Sequence, residues 1–543
     1  MAAMLVAPSL VTASTGDIIA PQSPPDFSSA DGWQAGTCTE EPPESAEVCS
    51  VDTEDQFFER AAAHPNWGFT QFIVKHTTVG PLETPVGELK TVRVDLPVGL
   101  SVNPGATPRC PLPTFEADPT DCPDGSQVGE SAVTASVLGV PAPPTKPVSQ
   151  VPVYNIIPPQ GEPARFGLEL AGNEVFLKAD VDWAGDYHEG FTIDVPQVAD
   201  LEPLIKGLIL KNRLVFDGRA GDGTFITTPS TCLGEAGPSG PSGDVYSTYL
   251  LAASWAEEAA PDYQFPQDAE PAFESPIPPG TSPKECDTIP YDPSITADPN
   301  TAATNSPSGA TVELEVPHIL GADEQESSQT RTARVTLPLG MGINPSAANG
   351  LQTCTDAEFG KGTEAPVACP PASKIGRVTI ESPPLPEGSL EGDVYVGSQL
   401  SRDPTSGNEY RIFVDAASAR YGISARLVGN VSADPRTGQL TTTFAENPQV
   451  PFTSFRLEFD PGARAVLSSP PTCGPNTTTT NLAPWSGNPA AAPSDDFDLS
   501  SAPGGGSCAK AMATRPFAPG FAAAPASAKA GAYSPLSLHI TRA

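Results

Sequence analysis

The chain is short of positive charge, of histidine and of long apolar runs, and each shortage removes a class of function. Lys and Arg number 29 against 65 Asp and Glu, a formal net charge of −36. A surface of that sign repels phosphate, so nucleic acid is excluded as a partner. It also keeps the chain soluble, and leaves divalent cations as weak partners at most. No apolar run reaches the roughly 18 residues that a membrane-spanning helix needs, so no transmembrane segment is expected. Helical apolar periodicity is missing too. With 65 Pro and 48 Gly, the chain reads as short strands joined by turns, because proline removes a backbone donor and stops helix propagation.

Catalytic signatures are equally scarce. There are five histidines, His64, His76, His188, His318 and His539. His-Glu-x-x-His and Gly-x-Ser-x-Gly are both absent. No Cys-x-x-Cys occurs, and no histidine sits at zinc-finger spacing, which argues against structural zinc. No catalytic residue, cofactor or metal ligand is assigned, and the protein is not expected to be an enzyme.

What the chain does have is repetition. Val92-Arg93-Val94-Asp95-Leu96-Pro97-Val98-Gly99 returns as Ala333-Arg334-Val335-Thr336-Leu337-Pro338-Leu339-Gly340. Asn103-Pro104 returns as Asn344-Pro345, and Cys122-Pro123 as Cys369-Pro370. Leu96 to Leu337, Tyr154 to Tyr395 and Cys232 to Cys473 are all offset by 241 residues. Equal offsets at separated landmarks mark a tandem duplication. Within each copy, apolar and polar residues alternate, as in Lys90–Leu96, Val128–Leu138, Val151–Ile157, Ala164–Leu170, Val175–Val181, Phe191–Val195 and Leu208–Phe216. The second copy shows the same at Tyr410–Ala416, Ile423–Val431, Leu440–Phe444 and Phe455–Phe459. Asp434–Gly438 reads as a turn between two strands. After Cys354, the run Thr355-Asp356-Ala357-Glu358 has the capping residues of a helical turn.

The expected class is all-β: tandem β-sandwich, immunoglobulin-like modules with Pro-rich connectors. Residues 1–58 form a signal-like segment, Met4–Ala13, and a polar leader. Residues 59–235 form module one, 236–304 a connector, 305–475 module two, 476–525 a second connector, and 526–543 the first strand of a truncated third module. A short helix is expected over Asp55–Ala63, and each module can split into two halves near 140–150 and 385–390. A first strand cannot fold alone, so the expectation is that the natural protein continues.

Ten cysteines, an even count in near pairs, point to an oxidising compartment. The expected structural disulfides are Cys38–Cys49, Cys110–Cys122, Cys232–Cys286, Cys354–Cys369 and Cys473–Cys508. A loop of 12 or 15 residues closed this way stabilises by roughly 3 kcal/mol.

The Leu-Pro-x-Gly-[Leu/Met]-x-[Val/Ile]-Asn-Pro text, Cys-Pro followed by [Val/Ile]-Gly, and Pro-x-Thr-Cys at each module end resemble large, uncharacterised secreted multi-module proteins of high-GC bacteria. The strand ends are similar to immunoglobulin-like repeats of bacterial surface proteins. The resemblance spans residues 60–543 and implies an extracellular or cell-surface location. It carries no activity, cofactor or catalytic residue.

Three further features bear on function. Asp180, Asp182 and Asp186 offer oxygen ligands for calcium, but two of them fall in an expected strand, and a solvated strand face is the plainer reading. Trp67, Trp183 and Trp485 are candidates for a glycan platform, against core packing. His188 beside acids and a hydroxyl would be the sign of a hydrolase between modules. The leading expectation is a non-catalytic secreted or surface structural or adhesive repeat protein, with cell-wall or extracellular protein or glycan as partner. The alternatives are a glycan- or protein-binding module using loops at the sandwich ends, and the hydrolase.

Overall fold

A computed structural model describes residues 32–39, 57–79, 82–137, 149–170, 172–197, 207–220, 223–232, 247–255, 273–276, 283–319 and 321–541. Among them nearly all regular structure is β. Two large antiparallel sheets dominate, as the alternating sequence requires.

The first sheet contains β1 (Gln34–Cys38), β2 (Trp67–Ile73), β3 (Leu89–Asp95), β4 (Gln127–Val137), β5 (Ser149–Ile156), β6 (Arg165–Leu170), β7 (Asn173–Val181), β8 (Glu189–Asp194), β9 (Gly207–Asp217), β10 (Ser247–Ser254) and β11 (Phe273–Pro276). The second contains β12 (Ser294–Pro299), β13 (Ala310–Glu315), β14 (Thr330–Thr336), β15 (Lys374–Glu381), β16 (Leu390–Gly397), β17 (Tyr410–Ser418), β18 (Ile423–Ala433), β19 (Leu440–Phe444), β20 (Ser454–Phe459), β21 (Gly474–Pro484) and β22 (Ser494–Leu499). Their orders are β1-β2-β9-β4-β5-β6-β7-β8-β3-β10-β11 and β12-β13-β20-β15-β16-β17-β18-β19-β14-β21-β22. Each strand of the second sheet takes the place of the strand eleven before it in the first. The duplication read from the sequence is therefore a duplication of topology. A separate hairpin, β23 (Gly520–Pro525) and β24 (Leu536–Thr541), follows.

Each sheet rolls over its own apolar core, because its inward residues alternate with polar ones. In the first, Phe166, Leu177, Phe191 and Leu214 form one cluster and Trp33, Phe72, Val94 and Leu250 another, with Leu96 and Ile193 touching both. In the second, Val378, Val394, Val414, Leu457 and Leu482 form the centre. The ends of the second sheet meet, where the Ala297 amide donates to Asp495 Oδ2 over 2.8 Å.

Four disulfides with both cysteines among the described residues fix the periphery. Cys110–Cys122 and Cys354–Cys369 bring Cα atoms to 5.2 and 5.0 Å. They enclose two short helices, α1 (Leu112–Ala117) and α2 (Asp356–Phe359), the latter closed by a Thr355–Glu358 capping box. Cys232–Cys286 and Cys473–Cys508 each hold Cα atoms 5.9 Å apart. Cys38 is also disulfide-bonded, while Cys49 lies outside the described residues, as does the signal-like segment Met4–Ala13.

The structure departs from the sequence reading in four places. The leader contributes β1, and Trp33 is fully buried, its indole N–H donating to Thr248 O over 3.2 Å. Phe57–Ala63 forms bridges and a turn, not a helix, since Phe58 N donates to Thr37 O and Ala61 N to Lys284 O. The stretches read as connectors supply β10, β11 and β12, and β21, β22 and β23, so the last hairpin begins before the expected residue 526. The segments read as splits between half-modules lie between hydrogen-bonded neighbours, β4 with β5 and β15 with β16, so each sheet is continuous.

Candidate functional site

The densest polar chemistry lies where β3, β7 and β8 meet. Arg93 on β3 is opposite Thr192 on β8, and Asp95 is opposite Gly190, which is itself opposite Asp180 on β7. Gly190 is needed for space. A Cβ there would come within 2.0 Å of Arg93 Nη2 and 2.7 Å of Asp95 Oδ1. Across the gap it leaves, the Arg93 guanidinium donates to Asp95 Oδ1 (2.6 Å), to both oxygens of Asp180 (Nη2 to Oδ1 2.7 Å) and to Thr192 Oγ1 (3.2 Å).

The turn from β7 to β8 adds the second half. His188 Nδ1 lies 2.5 Å from Asp186 Oδ1 and Nε2 lies 3.3 Å from Asp95 Oδ1. Burial disfavours the imidazolium, but the two carboxylates outweigh it and raise the His188 pKa to about 10. Burial likewise opposes ionisation of Asp95 and Asp186, and the hydrogen bonds and charge of His188, with Arg93 for Asp95, hold both below the usual range. Glu189 behaves oppositely. Burial pushes its carboxyl up to about 8, against the Val102 amide, which donates to Oε2 over 3.0 Å, and the charge of His188.

Glu189 also borders a cavity of about 150 Å³ between the two modules. Glu189, Tyr187 and Phe191 line it from module one, and Leu427, Phe444 and Phe455 from module two. Around it the modules are pinned. The Arg426 guanidinium stacks over Trp183, 4.9 Å from the ring centroid, pairs with Asp415 Oδ1 (3.2 Å) and donates to Gly360 O and Ala365 O, 2.8 Å each. Its own amide donates to Tyr187 Oη over 3.1 Å. Arg420 donates to Pro158 O and Pro159 O over 2.7 and 2.6 Å. Gly422 has φ +68° and lies against Gly161, where a Cβ would be 2.3 Å from the carbonyl oxygen. At the other end Arg219 pairs with Asp323 (2.9 Å), Gln325 Nε2 donates to Ala61 O (3.0 Å) and Ser230 bonds Gln329. The site is thus a joint as much as a pocket.

The residues singled out from sequence divide as follows. Asp182, Asp186 and His188 place ligand atoms within 4.8 Å of one another and could hold a cation. In this arrangement the charged imidazole of His188 already occupies Asp186. Asp180 is drawn away to Arg93. The carboxylates beside His188 fulfil part of the hydrolase sign. The imidazole is held as a cation, however, and no Ser or Thr hydroxyl bonds to it among the described residues. Of the other histidines, His64 is buried with Nδ1 3.2 Å from Ile226 O, His318 pairs with Glu326 (2.6 Å), and His76 and His539 are exposed. The tryptophans are used within the fold. Trp67 packs with Cys38, Phe69 and Val215; Trp183 lies under Arg426; Trp485 lies under Arg331 and donates to Asn447 O over 3.1 Å. Arg93, Glu189 and Arg426 were not marked by the sequence. No helix among the described residues is long and apolar enough to cross a membrane.

No family model matches the chain, and no curated protein matches it. Weak likenesses exist among solved structures, and bacterial adhesin and antigen domains are among them. The N-terminal domain of the Streptococcus gordonii adhesin Sgo0707 is 8% identical with a TM-score of 0.16, over 80% of this chain and 60% of that one. The C-terminal domain of the Streptococcus pyogenes antigen I/II-family protein AspA is 9% identical with a TM-score of 0.17, over 86% and 99%. The BSP domain of a biofilm associated protein is 8% identical with a TM-score of 0.15, over 86% and 58%. The chain thus spans less than two thirds of the adhesin domain, and these likenesses carry no further argument.

Proposed function

We propose that the chain is a non-catalytic, secreted or cell-surface structural or adhesive repeat protein, built to present modules in a fixed mutual orientation. The observation that carries this reading is the repeated eleven-strand order, with the two copies locked through the Arg426–Trp183–Tyr187 joint. Repetition of one shape with a rigid contact between copies serves extension and display. Disulfides at matching places in both modules suit an oxidising exterior.

On this reading modules one and two run as the duplicated sheets do, and the third begins with β23–β24. Cell-wall or extracellular protein or glycan is the partner class. The test is antibody labelling of intact source cells together with assay of the medium. Labelling of intact cells, or protein in the medium, is expected. Protein found only after lysis overturns the proposal.

A further inference from the structure

The cavity between the modules has the size and lining of a small-molecule site. Its volume, about 150 Å³, matches that of a dry apolar cavity able to take a benzene ring. Its wall is mostly apolar, with Phe191 from β8, Leu427 from β18, Phe444 from β19 and Phe455 from β20. A concave apolar space with a few polar groups, set between two domains, is the usual form of such a site.

Most polar side chains on that wall are already engaged. Asp180 holds Arg93, the Thr330 hydroxyl meets Tyr291 Oη at 2.8 Å, Ser382 Oγ donates to Pro451 O over 2.7 Å, and Tyr187 Oη accepts from the Arg426 amide. Two side chains keep atoms without a hydrogen bond among the described residues. They are the amide of Asn447 and the Oε1 of Glu189, whose Oε2 takes the Val102 amide. The sheet does not require an acid at this place, because the matching residue of module two, Leu440, is buried and apolar. Burial pushes the Glu189 carboxyl up to about 8, so near neutral pH it is mostly uncharged and can both donate and accept. Tyr187, on the same wall, is held at φ +66°. A bulky residue adopts that backbone state only where its surroundings impose it, so this part of the wall is fixed before any ligand arrives.

We propose that the cavity binds a small, uncharged, mostly apolar molecule of single-ring size that carries one hydroxyl group. The hydroxyl sits on Glu189 and the body lies against Phe191, Leu427 and Phe455. An amine head would carry a charge out of water to a place beside the His188 cation, and among the described residues no Lys or Arg lines the cavity to meet an anionic head. This site is independent of the display role proposed above, which stands or falls by location.

The test titrates the intact chain with phenol, with toluene as the same shape lacking the hydroxyl, and with benzylamine as a cation. Saturable phenol binding is expected, with slowed amide exchange at residues 187–191 and 423–427. Glu189→Leu should leave toluene affinity within about twofold and weaken phenol by at least about fivefold, because the buried hydroxyl loses its partner. Ala425→Phe puts a ring into the cavity and should abolish binding of both. If that variant fails to unfold cooperatively in urea, the phenol-to-toluene ratio in Glu189→Leu decides alone. No phenol binding, an unchanged ratio in Glu189→Leu, or protection only away from the two segments overturns the proposal. So does benzylamine binding more tightly than phenol, which would make the ligand a cation.

Discussion

Modules one and two share their strand order but fill one position of it in opposite ways. Where β3, β7 and β8 meet, module one sets Arg93, Asp95, Asp180, His188 and Glu189. The register puts Arg334, Thr336, Ser432, Gln439 and Leu440 at the matching places in module two. The match is checked by the backbone, since Leu96 N donates to Glu189 O and Leu337 N to Leu440 O. Thr441 stands where Gly190 leaves room for a guanidinium, and its hydroxyl meets Thr336 Oγ1 at 2.9 Å. Leu440 is buried, so the fold accepts an apolar side chain where module one carries an acid. The difference shows that the ion cluster is not needed to build the sheet. It sits where module one faces its neighbour, and it belongs to the joint.

Several measurements can break or sharpen this contrast. The largest effect should be common to both modules. Cys232→Ser with Cys286→Ser, or Cys473→Ser with Cys508→Ser, opens a loop of 54 or 35 residues and should cost about 4 kcal/mol each, read by urea unfolding. If only one pair matters, the modules are less alike than their topology. Next, Arg93→Ala takes the guanidinium from Asp180 and leaves Asp95 with His188 alone, and should cost about 3 kcal/mol, whereas Arg334→Ala, at an exposed position, should stay within about 0.5 kcal/mol. Equal losses would refute the contrast.

Glu189→Leu imports the residue of module two and should stabilise by about 2 kcal/mol at pH 8. The raised pKa fixes the sign. Below the unfolded value near 4.5 the acid is neutral in both states and imposes no charge penalty; the penalty grows until about pH 8 and is then constant. The advantage of the variant should follow that rise, and a flat difference from about pH 4 to 9 would contradict it. The smallest effect, about 1 kcal/mol, is expected for His188→Gln. His188, with its pKa raised from 6.5 to about 10, stabilises fully below pH 6.5 and loses that contribution by about pH 10. The deficit of the variant should fade over the same window in urea titrations.

Much of the fold could be read from the chain because inner strands alternate plainly: Leu89–Asp95 and Leu440–Phe444 lie within a residue of their expected limits. Two strands toward the sheet ends, β1 and β21, could not. β21 buries Thr478, Thr480 and Leu482 on alternate positions, but a run of four threonines shows no apolar period. β1 is polar apart from Ala35 and Cys38 and is defined by its pairing with β2, far along the chain. At the joint, the acids near residue 182 were visible, but Arg93 is remote in sequence and reaches Asp180 only through the missing side chain of Gly190. Glu189 gave no signal because the offset of 241 does not align it with Leu440; strand register does.

The placement of two sulfur bridges has a mechanical consequence. Cys232–Cys286 encloses β10 and β11, and Cys473–Cys508 encloses β21 and β22. Tension along the backbone would cross each bridge and bypass the enclosed strands, so neither pair would be pulled directly. Reduction would put those strands into the load line and lengthen a fully stretched chain by about 190 Å for the 54-residue loop.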